Sequence, residues 1–222
     1  MTTELFRLDG RIAFVSGAAG HLGSVMTRAL CAAGAHVIVN GRNETRLKEF
    51  ESALKRDGHS VERAAFDVSD FPAARAFMTA RPRLDILVNN AVAMTPAPFG
   101  SLAPEAFDQT YRSAVTAAFE LVRAALPAMR AAVAATGDAS VVNVASMYGN
   151  VSPDPRIYSK PEQASPFHYG PAKAALIQLS RHLAAELGRE KIRVNALVPG
   201  SITRPSDSWP KVSRVLPGGA HP

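Results

Sequence analysis

Short apolar segments alternate with longer amphipathic segments along most of the chain, and this alternation constrains the fold more than any other feature. The apolar segments are nearly continuous in Val, Ile, Leu and Ala, as in strands that helices cover on both faces. They predict strands at residues 11–16, 36–40, 60–66, 84–89, 139–145 and 192–196. The predicted helices lie near residues 21–33, 44–57, 70–80, 103–132 and 170–187. This order predicts an α/β fold, a doubly wound parallel sheet in a three-layer α/β/α arrangement.

Length and composition indicate one globular domain. The chain has 222 residues, 47% of them hydrophobic and 20% charged, which suits a single buried core. We predict one domain over residues 1–222, with an irregular tail over 204–222, because no periodicity follows Pro199. The single Cys31 lies in a predicted helix among alanines and is expected to fill the core, and the histidines show no metal-ligand spacing.

Charge and hydropathy narrow the classes of partner that the protein is expected to bind. The net charge is +6, but the Lys and Arg residues are scattered along the chain, so we expect no nucleic acid and a modest preference for anionic small ligands. The N-terminus has no apolar signal core, and the Ala-rich segment 124–135 is broken by Arg130 and too short to span a bilayer. We therefore expect a cytoplasmic protein without a membrane partner.

Gly17, Gly20 and Gly23 recur every three residues between the first predicted strand and the first predicted helix. In a doubly wound sheet this turn holds a pyrophosphate, because glycine lets the backbone approach phosphate oxygens and the helix N-terminus presents free N–H groups. The spacing in this context predicts a phosphate-binding loop. A plain tight turn is the alternative.

The end of the second predicted strand bears on the choice of dinucleotide. A carboxylate there would hold the ribose 2′-hydroxyl of NAD, but the chain reads Val39-Asn40-Gly41-Arg42-Asn43 and offers none. Arg42 could instead meet a 2′-phosphate. We therefore predict Asn40 and Arg42 as cofactor-binding residues and favour NADP over NAD, the alternative being that Arg42 is a solvated loop residue.

Six motifs occur in one order, each in the context of a predicted strand or helix. They are SGAAGHLG near the start, Asp67-Val68, Asn89-Asn90-Ala91, Ser146, Tyr169-Gly-Pro-Ala-Lys173 and Pro199-Gly200. Together they resemble the single-domain branch of the short-chain dehydrogenase/reductase family, over roughly residues 8–203. The Tyr-x-x-x-Lys pattern alone is unspecific, and the ordered set carries the resemblance.

The resemblance implies a Rossmann fold, an NAD(P) cofactor and a role for each matching position. The pyrophosphate would be lined by Gly17, Gly20, His21, Leu22 and Gly23, the adenine flanked by Asp67 and Val68, and the ribose packed near Asn90 and Ala91. Ile202 would meet the nicotinamide amide. The catalytic residues would be Ser146, Tyr169 and Lys173, of which Tyr169 and Lys173 would also contact the cofactor.

The three catalytic candidates also make chemical sense on their own. Tyr169 and Lys173 are four residues apart, so both project from one helix face. An ammonium beside a phenol is expected to lower the tyrosine's pKa and suit it to proton transfer near neutral pH. Ser146 could hydrogen-bond the reacting carbonyl oxygen. A buried structural tyrosine and a surface lysine are the alternative.

Three positions and the tail depart from the family's pattern. His21 takes the place of a glycine, and the resulting GxxGxxG spacing is similar to that of the longer, sugar-nucleotide-modifying branch. Ala114 aligns with the family's proton-relay asparagine, and Val92 takes the place of a glycine. After Pro-Gly the usual covering helices and seventh strand do not follow, so we expect that strand to be missing, the sixth strand to be an edge and four-subunit assembly to be disfavoured. The two long helices could still pair two subunits.

The substrate is a small carbonyl or alcohol compound in the leading hypothesis. A proline-rich loop, 152–168, lies between Ser146 and Tyr169 and is longer than in most of the family. It is similar to the loop of reductases acting on sugar acids, including gluconate 5-dehydrogenase-like members. Arg156 and Lys160 could meet a carboxylate, or could simply be surface charges.

These features favour an NADP-dependent oxidoreductase that interconverts a secondary alcohol and a ketone, acting on a sugar acid or related polyol. Ala114 and the short end support an alternative, a catalytically weak NAD(P)-binding regulatory or scaffold protein of the same fold. A sugar-nucleotide epimerase or dehydratase rests only on the glycine spacing and is the least favoured reading.

Overall fold

The computed structural model describes residues 6–158, 164–200 and 202, and its centre is a six-stranded parallel sheet. The strands are β1 Ile12–Val15, β2 His36–Gly41, β3 Val61–Ala65, β4 Ile86–Asn89, β5 Ala139–Val144 and β6 Ile192–Leu197. Their order across the sheet is β3-β2-β1-β4-β5-β6. The predicted doubly wound α/β fold is confirmed, and the reversal of strand order between β1 and β4 opens the crevice where such folds bind ligands.

Helices connect the strands and cover both faces of the sheet. They are α1 His21–Ala32, α2 Glu44–Arg56, α3 Phe71–Thr79, α4 Glu105–Tyr111, α5 Ala117–Thr136 and α6 Tyr169–Leu187. Two of them begin at side-chain caps: Asn43 accepts a hydrogen bond from the Arg46 amide at α2, and Asp70 accepts one from the Ala73 amide at α3. Such caps satisfy amides that have no partner within the helix.

The single helix predicted over residues 103–132 is wrong in detail. Helix α4 passes into a π turn, Arg112–Thr116, before α5 begins, and α5 then continues to Thr136, where Gly137 ends it with a φ of 90°. A π turn places an extra residue in one turn of helix. The alanine-rich periodicity is apolar on both sides of this insertion and therefore gives no signal of it.

The core has two halves, one on each face of the sheet. Alternate residues of β1 show the division, since Phe14 packs in one cluster while Ala13 and Val15 pack in the other. The first cluster includes Leu87, Leu121, Met129 and Val141, and the second includes Val37, Val39, Leu47 and Leu54. Parallel strands covered in this way bring all their carboxyl ends to one edge, where the loops are free to form a site.

A buried carboxylate stabilises the opposite, amino-terminal edge. The Asp85 side chain has no exposed surface and accepts hydrogen bonds from Arg11, Arg83, Thr136 and the Ile12 amide. Burial raises the pKa of Asp85, but the hydrogen bonds, that from Arg83 first, outweigh burial and lower it. The ion pair fastens β1 and β4 to the end of α5.

The remaining expectations from the sequence concern a membrane span, a metal site, Cys31, Lys160 and the C-terminal tail. No helix of the described residues is long and apolar enough to cross a membrane, and in that same part of the chain no group of His, Cys, Asp and Glu could hold a metal ion. Cys31 is buried, and burial raises the pKa of its thiol to about 11, as suits a packing residue. The predicted tail 204–222 and Lys160 lie outside the described residues.

Candidate active site

A cavity of about 360 Å³ opens where β1 to β4 end. Its lining includes Gly17, Gly20, His21, Leu22, Gly23, Asn40, Arg42, Asp67, Val68, Asn90 and Ala91. These are the residues predicted for the dinucleotide, apart from Tyr169, Lys173 and Ile202. The sequence did not single out Gly41, Phe66, Ala93 and Ser113, which also line it. Three of the motifs, the glycine loop, Asp67-Val68 and Asn89-Asn90-Ala91, meet in this cavity because each follows a strand of the same parallel sheet.

The glycine loop is fixed to the end of β4 by two polar side chains. Ser16 Oγ accepts hydrogen bonds from the Asn90 and Ala91 amides at 2.9 and 3.0 Å. In return, Asn90 Nδ2 donates to the carbonyl oxygens of Ser16 at 2.9 Å and Gly17 at 3.2 Å. Asn90 therefore holds the loop, and Ser16 is a site residue that sequence reasoning missed, although its place beside the first glycine was a signal.

The start of α1 presents unpaired donors to the cavity. Gly20 is the extended N-cap, no side chain caps the helix, and its first turn carries no acidic residue. His21 Nε2 is buried without a hydrogen-bond partner among the described residues. Free amides and the positive end of a helix attract anions. These groups fit a pyrophosphate, and His21 offers a polar atom where the family has a glycine.

At the far end of the cavity, the Asn40 side chain is held by hydrogen bonds, whereas the Arg42 side chain makes only a weak ion pair. Asn40 Nδ2 donates to the carbonyl oxygens of Ala64 and Phe66 at 2.9 and 3.1 Å, so it ties β2 to β3 and can shape the cavity only indirectly. Arg42 is 67% exposed, and its guanidinium lies 3.6 Å from the Asp67 carboxylate. An exposed pair at this distance is weak, which leaves Arg42 able to turn toward an anion.

The three catalytic candidates lie together at the carboxyl end of β5. Ser146 follows that strand with Ala145 between them, and Tyr169 opens α6. Lys173 is buried one turn further on, where its Nζ donates to the Val144 carbonyl oxygen at 2.6 Å and lies 5.6 Å from the centre of the Tyr169 ring. Gly149 allows the turn Met147–Gly149 to pack closely on α6, because a Cβ there would lie 2.9 Å from the backbone of that helix.

Burial governs the protonation of both residues on α6. It raises the pKa of Tyr169, and the neighbouring Ser146 hydroxyl opposes this shift only in part. It also lowers the pKa of Lys173 to about 8. The expectation that the Tyr169 pKa lies below its ordinary value beside Lys173 is therefore wrong for this structure, because desolvation of the phenol outweighs the groups that favour the phenolate. Spacing alone could show proximity but not solvation.

A second cavity, of about 480 Å³, adjoins the first turn of α6. Its lining includes Tyr148, Val151, Pro153, Tyr158, Phe167 and Gly170 and, in the part of the chain that the structure describes, no charged side chain. Tyr148 and Tyr158 share a 2.7 Å hydrogen bond between their hydroxyls. Burial, then Tyr158, raises the pKa of Tyr148 to about 12, so the Tyr148 phenol stays neutral in the wall of this cavity.

Two predicted residues lie apart from these cavities. Arg156 is bound by both carboxylate oxygens of Asp154 and has 77% of its side chain exposed. Ile202 is half-exposed and outside the lining of either cavity. It follows the Pro199 turn, whose carbonyl oxygen accepts a hydrogen bond from the Met147 amide, so the chain approaches Ser146 just before it.

Comparisons with known proteins give the same family throughout. The family model for short chain dehydrogenases matches residues 11–212. The rhamnolipids biosynthesis 3-oxoacyl-[acyl-carrier-protein] reductase of Pseudomonas aeruginosa is 35% identical over 199 residues, covering 88% of this chain and 74% of its own length. The gluconate 5-dehydrogenase of Gluconobacter oxydans is 29% identical, covering 89% of this chain and 73% of its own.

Solved structures with NADP resemble the chain as well. A gluconate 5-dehydrogenase from Burkholderia cenocepacia in complex with NADP and tartrate superposes with a TM-score of 0.74 at 28% identity, covering 88% of this chain and 72% of its own. The Pseudomonas aeruginosa RhlG/NADP active-site complex gives 0.78 at 33% identity, covering 89% and 75%. The resemblance drawn from the ordered motifs is confirmed: the chain belongs to the short-chain dehydrogenase family.

Proposed function

We propose that this chain is an NADP-dependent oxidoreductase that interconverts a secondary alcohol and a ketone by hydride transfer. The observation that carries the proposal is that Ser146, Tyr169 and Lys173 lie together at the carboxyl end of β5. The glycine-lined cavity opens at the same edge of the sheet. A bound nicotinamide would supply or accept the hydride. The protein's part is to hold the carbonyl and to move one proton.

Tyr169 is the proton donor in the direction of reduction. Because burial raises its pKa, the phenol keeps its proton at neutral pH and can release it to the carbonyl oxygen as the carbon receives hydride. The Ser146 hydroxyl donates a hydrogen bond to the same oxygen. The Lys173 ammonium, buried beside the ring, stabilises the phenolate that forms and is placed to hold a ribose hydroxyl.

The preference for NADP rests on Arg42. It extends from the end of β2 at the lip of the cavity and is largely exposed, and the motif offers no carboxylate in the position that would select NAD. Two structural relatives were solved in complex with NADP. Calorimetric titration with NADP and NAD tests the preference, and equal affinity for the two would contradict it.

A sugar acid or related polyol is the first substrate class to test. The gluconate 5-dehydrogenases among the relatives support it. The pairing of Arg156 with Asp154 removes one residue that could have received the acid's carboxylate. The second cavity, whose lining among the described residues carries no charged side chain, favours another class, a ketone with an apolar chain, for which the 3-oxoacyl reductase among the relatives is a precedent.

Oxidation of NADPH, followed by absorbance with a panel of keto-sugar acids, 3-oxoacyl thioesters and simple ketones, tests the function. We expect Tyr169→Phe to lower turnover by about 10²- to 10⁴-fold while NADPH still binds. Tyr111→Phe, which removes a phenol on α4 that lines neither cavity, is the matched control. Failure of the folded protein to turn over every compound, or full activity in Tyr169→Phe, would overturn the proposal.

A cofactor-binding protein with little catalysis is the second candidate. Ala114 is buried in the π turn and has no polar group at the position of the relay asparagine. Tight NADP binding together with the same slow activity in the wild-type protein and in Tyr169→Phe would favour it. A homodimer paired through the two long helices, α5 and α6, also stays a prediction, to be tested by light scattering, as does a cytoplasmic location.

A further inference from the structure

His168, the residue directly before Tyr169, is a buried histidine that the proposed reaction does not use. It has no exposed surface. Its Nδ1 lies 2.9 Å from Thr110 Oγ1 on α4, and its Nε2 lies 3.1 Å from the carbonyl oxygen of Thr95. The edge of its ring meets Phe107, with ring centres 5.9 Å apart. A carbonyl oxygen only accepts, so Nε2 carries the hydrogen of that contact.

The same threonine holds the wall of the cofactor cavity. The Thr110 hydroxyl, which has one hydrogen to donate, lies 2.8 Å from the Ala93 carbonyl oxygen and 2.9 Å from His168 Nδ1. The Ala93 amide donates to Ser113 Oγ at 2.9 Å, so both polar groups of Ala93 are contacted from the helix side. Ala93 and Ser113 line the cavity. A chain of polar contacts therefore runs from that wall, through Thr110, to the residue that precedes the phenol.

We propose that His168 is a positioning residue: it fixes the segment 93–95 against the N-terminus of α6 and so sets the distance between the cavity and the Tyr169 hydroxyl. The inference rests on the proposed function, in which hydride and proton must reach one carbonyl from these two sides. A buried ring with a polar partner at each nitrogen holds its neighbours in one arrangement. Misplacement of reacting groups by about 1 Å costs about 100-fold in rate.

Steady-state kinetics of His168→Ala and Thr110→Val test this role. We expect kcat to fall about 10- to 100-fold in both, while the KM for NADPH changes less than about threefold, because neither residue touches the glycine loop. His168→Gln, whose amide can still reach the Thr95 oxygen, should recover part of kcat. His59→Ala, before β3 on the other side of the sheet, is the control. A uniform rise in KM with unchanged kcat would overturn the proposal.

Hydrogen exchange gives a readout that needs no turnover. The Ala93 amide should exchange about five- to tenfold faster in His168→Ala than in the wild-type protein, while the amides of residues 17–23 keep their rates. Unchanged exchange at Ala93 in both His168→Ala and Thr110→Val refutes the positioning role whether or not the wild-type protein is active. If His168→Ala does not fold, Thr110→Val, which keeps the side-chain volume, decides. Absence of wild-type turnover with altered exchange would reject only the proposed function.

Discussion

The carbonyl oxygen of Gly17 lies 2.2 Å from the point that a Cβ on Gly23 would occupy. Asn90 Nδ2 lies 3.0 Å from the same point, so backbone and side chain close on Gly23 from two directions. Gly17 itself has a φ of 63°, a conformation that other residues adopt at a cost. The first and last glycines of the motif thus pack on each other, which lets the loop turn tightly into α1.

The substitution Gly23→Ala is therefore expected to displace the glycine loop. A methyl group cannot fit 2.2 Å from a backbone oxygen, so the loop or α1 must move, at a cost of about 1–3 kcal/mol in the free energy of unfolding. NADPH affinity, measured by calorimetry, should fall at least about tenfold. Gly188→Ala is the control, because its Cβ would meet nothing within 4 Å. Equal affinity in the two variants would contradict the packing argument.

Replacement of Arg42 should change the choice of dinucleotide rather than the fold. Removal of one charge-assisted contact with a 2′-phosphate costs about 1.5–3 kcal/mol, so Arg42→Ala should weaken NADP binding about 10- to 100-fold and leave NAD binding nearly unchanged. Arg46→Ala on the nearby helix α2 is the matched control. The two dissociation constants should be measured at two salt concentrations, since the effect of an exposed charge shrinks with salt. Parallel losses for both dinucleotides would refute the role.

Asp85→Asn should destabilise the fold without touching the cavity. The substitution removes the negative charge that Arg11 and Arg83 surround, and breaking a buried pair costs about 3–5 kcal/mol, seen as a lower urea midpoint. The pKa of Asp85 is lowered on folding, so its stabilisation is present above the ordinary carboxyl pKa and is lost as the pH falls through the folded value. Asp57→Asn, an exposed partner of Arg28, should cost less than about 1 kcal/mol.

The sequence was sufficient for the architecture because the relevant signals are local. Strand character, helix periodicity and glycine spacing all lie within short windows, and parallel topology brings everything that follows a strand to one edge. This is why Gly17, Asp67 and Asn90, far apart in the chain, could be assigned to one cavity. Their contact with a cofactor remains a prediction.

What the sequence could not give depends on contacts between distant segments. The hydrogen bonds from Asn40 to β3 and from His168 to Thr95 join residues that are 24 and 73 positions apart. The periodicity of the sequence does not indicate such pairs. The predicted direction of the shift in the Tyr169 pKa was wrong for a related reason. Four-residue spacing fixes which side chains are neighbours, whereas desolvation depends on every element packed around them.

The buried charge of Lys173 gives a stability signature that depends on pH. Its pKa falls from 10.5 to about 8 on folding because burial disfavours the ammonium. Between these values the unfolded chain binds more protons than the folded one, so stability rises with pH. Below about pH 8 both states are charged and the cost, about 3 kcal/mol, is fully present.

The substitution Lys173→Met removes this cost along with the charge. We expect the variant to have a higher free energy of unfolding than the wild-type protein at pH 7. The lost hydrogen bond to Val144 reduces this gain by about 1 kcal/mol. The gain should disappear as the pH approaches 10.5. Urea unfolding of both proteins across this range measures the difference curve, with the exposed Lys48→Met as control. A flat difference curve would mean that Lys173 stays hydrated in the folded protein. Its charge would then act on Tyr169 in a medium of high dielectric constant, which contradicts the electrostatic role proposed for it.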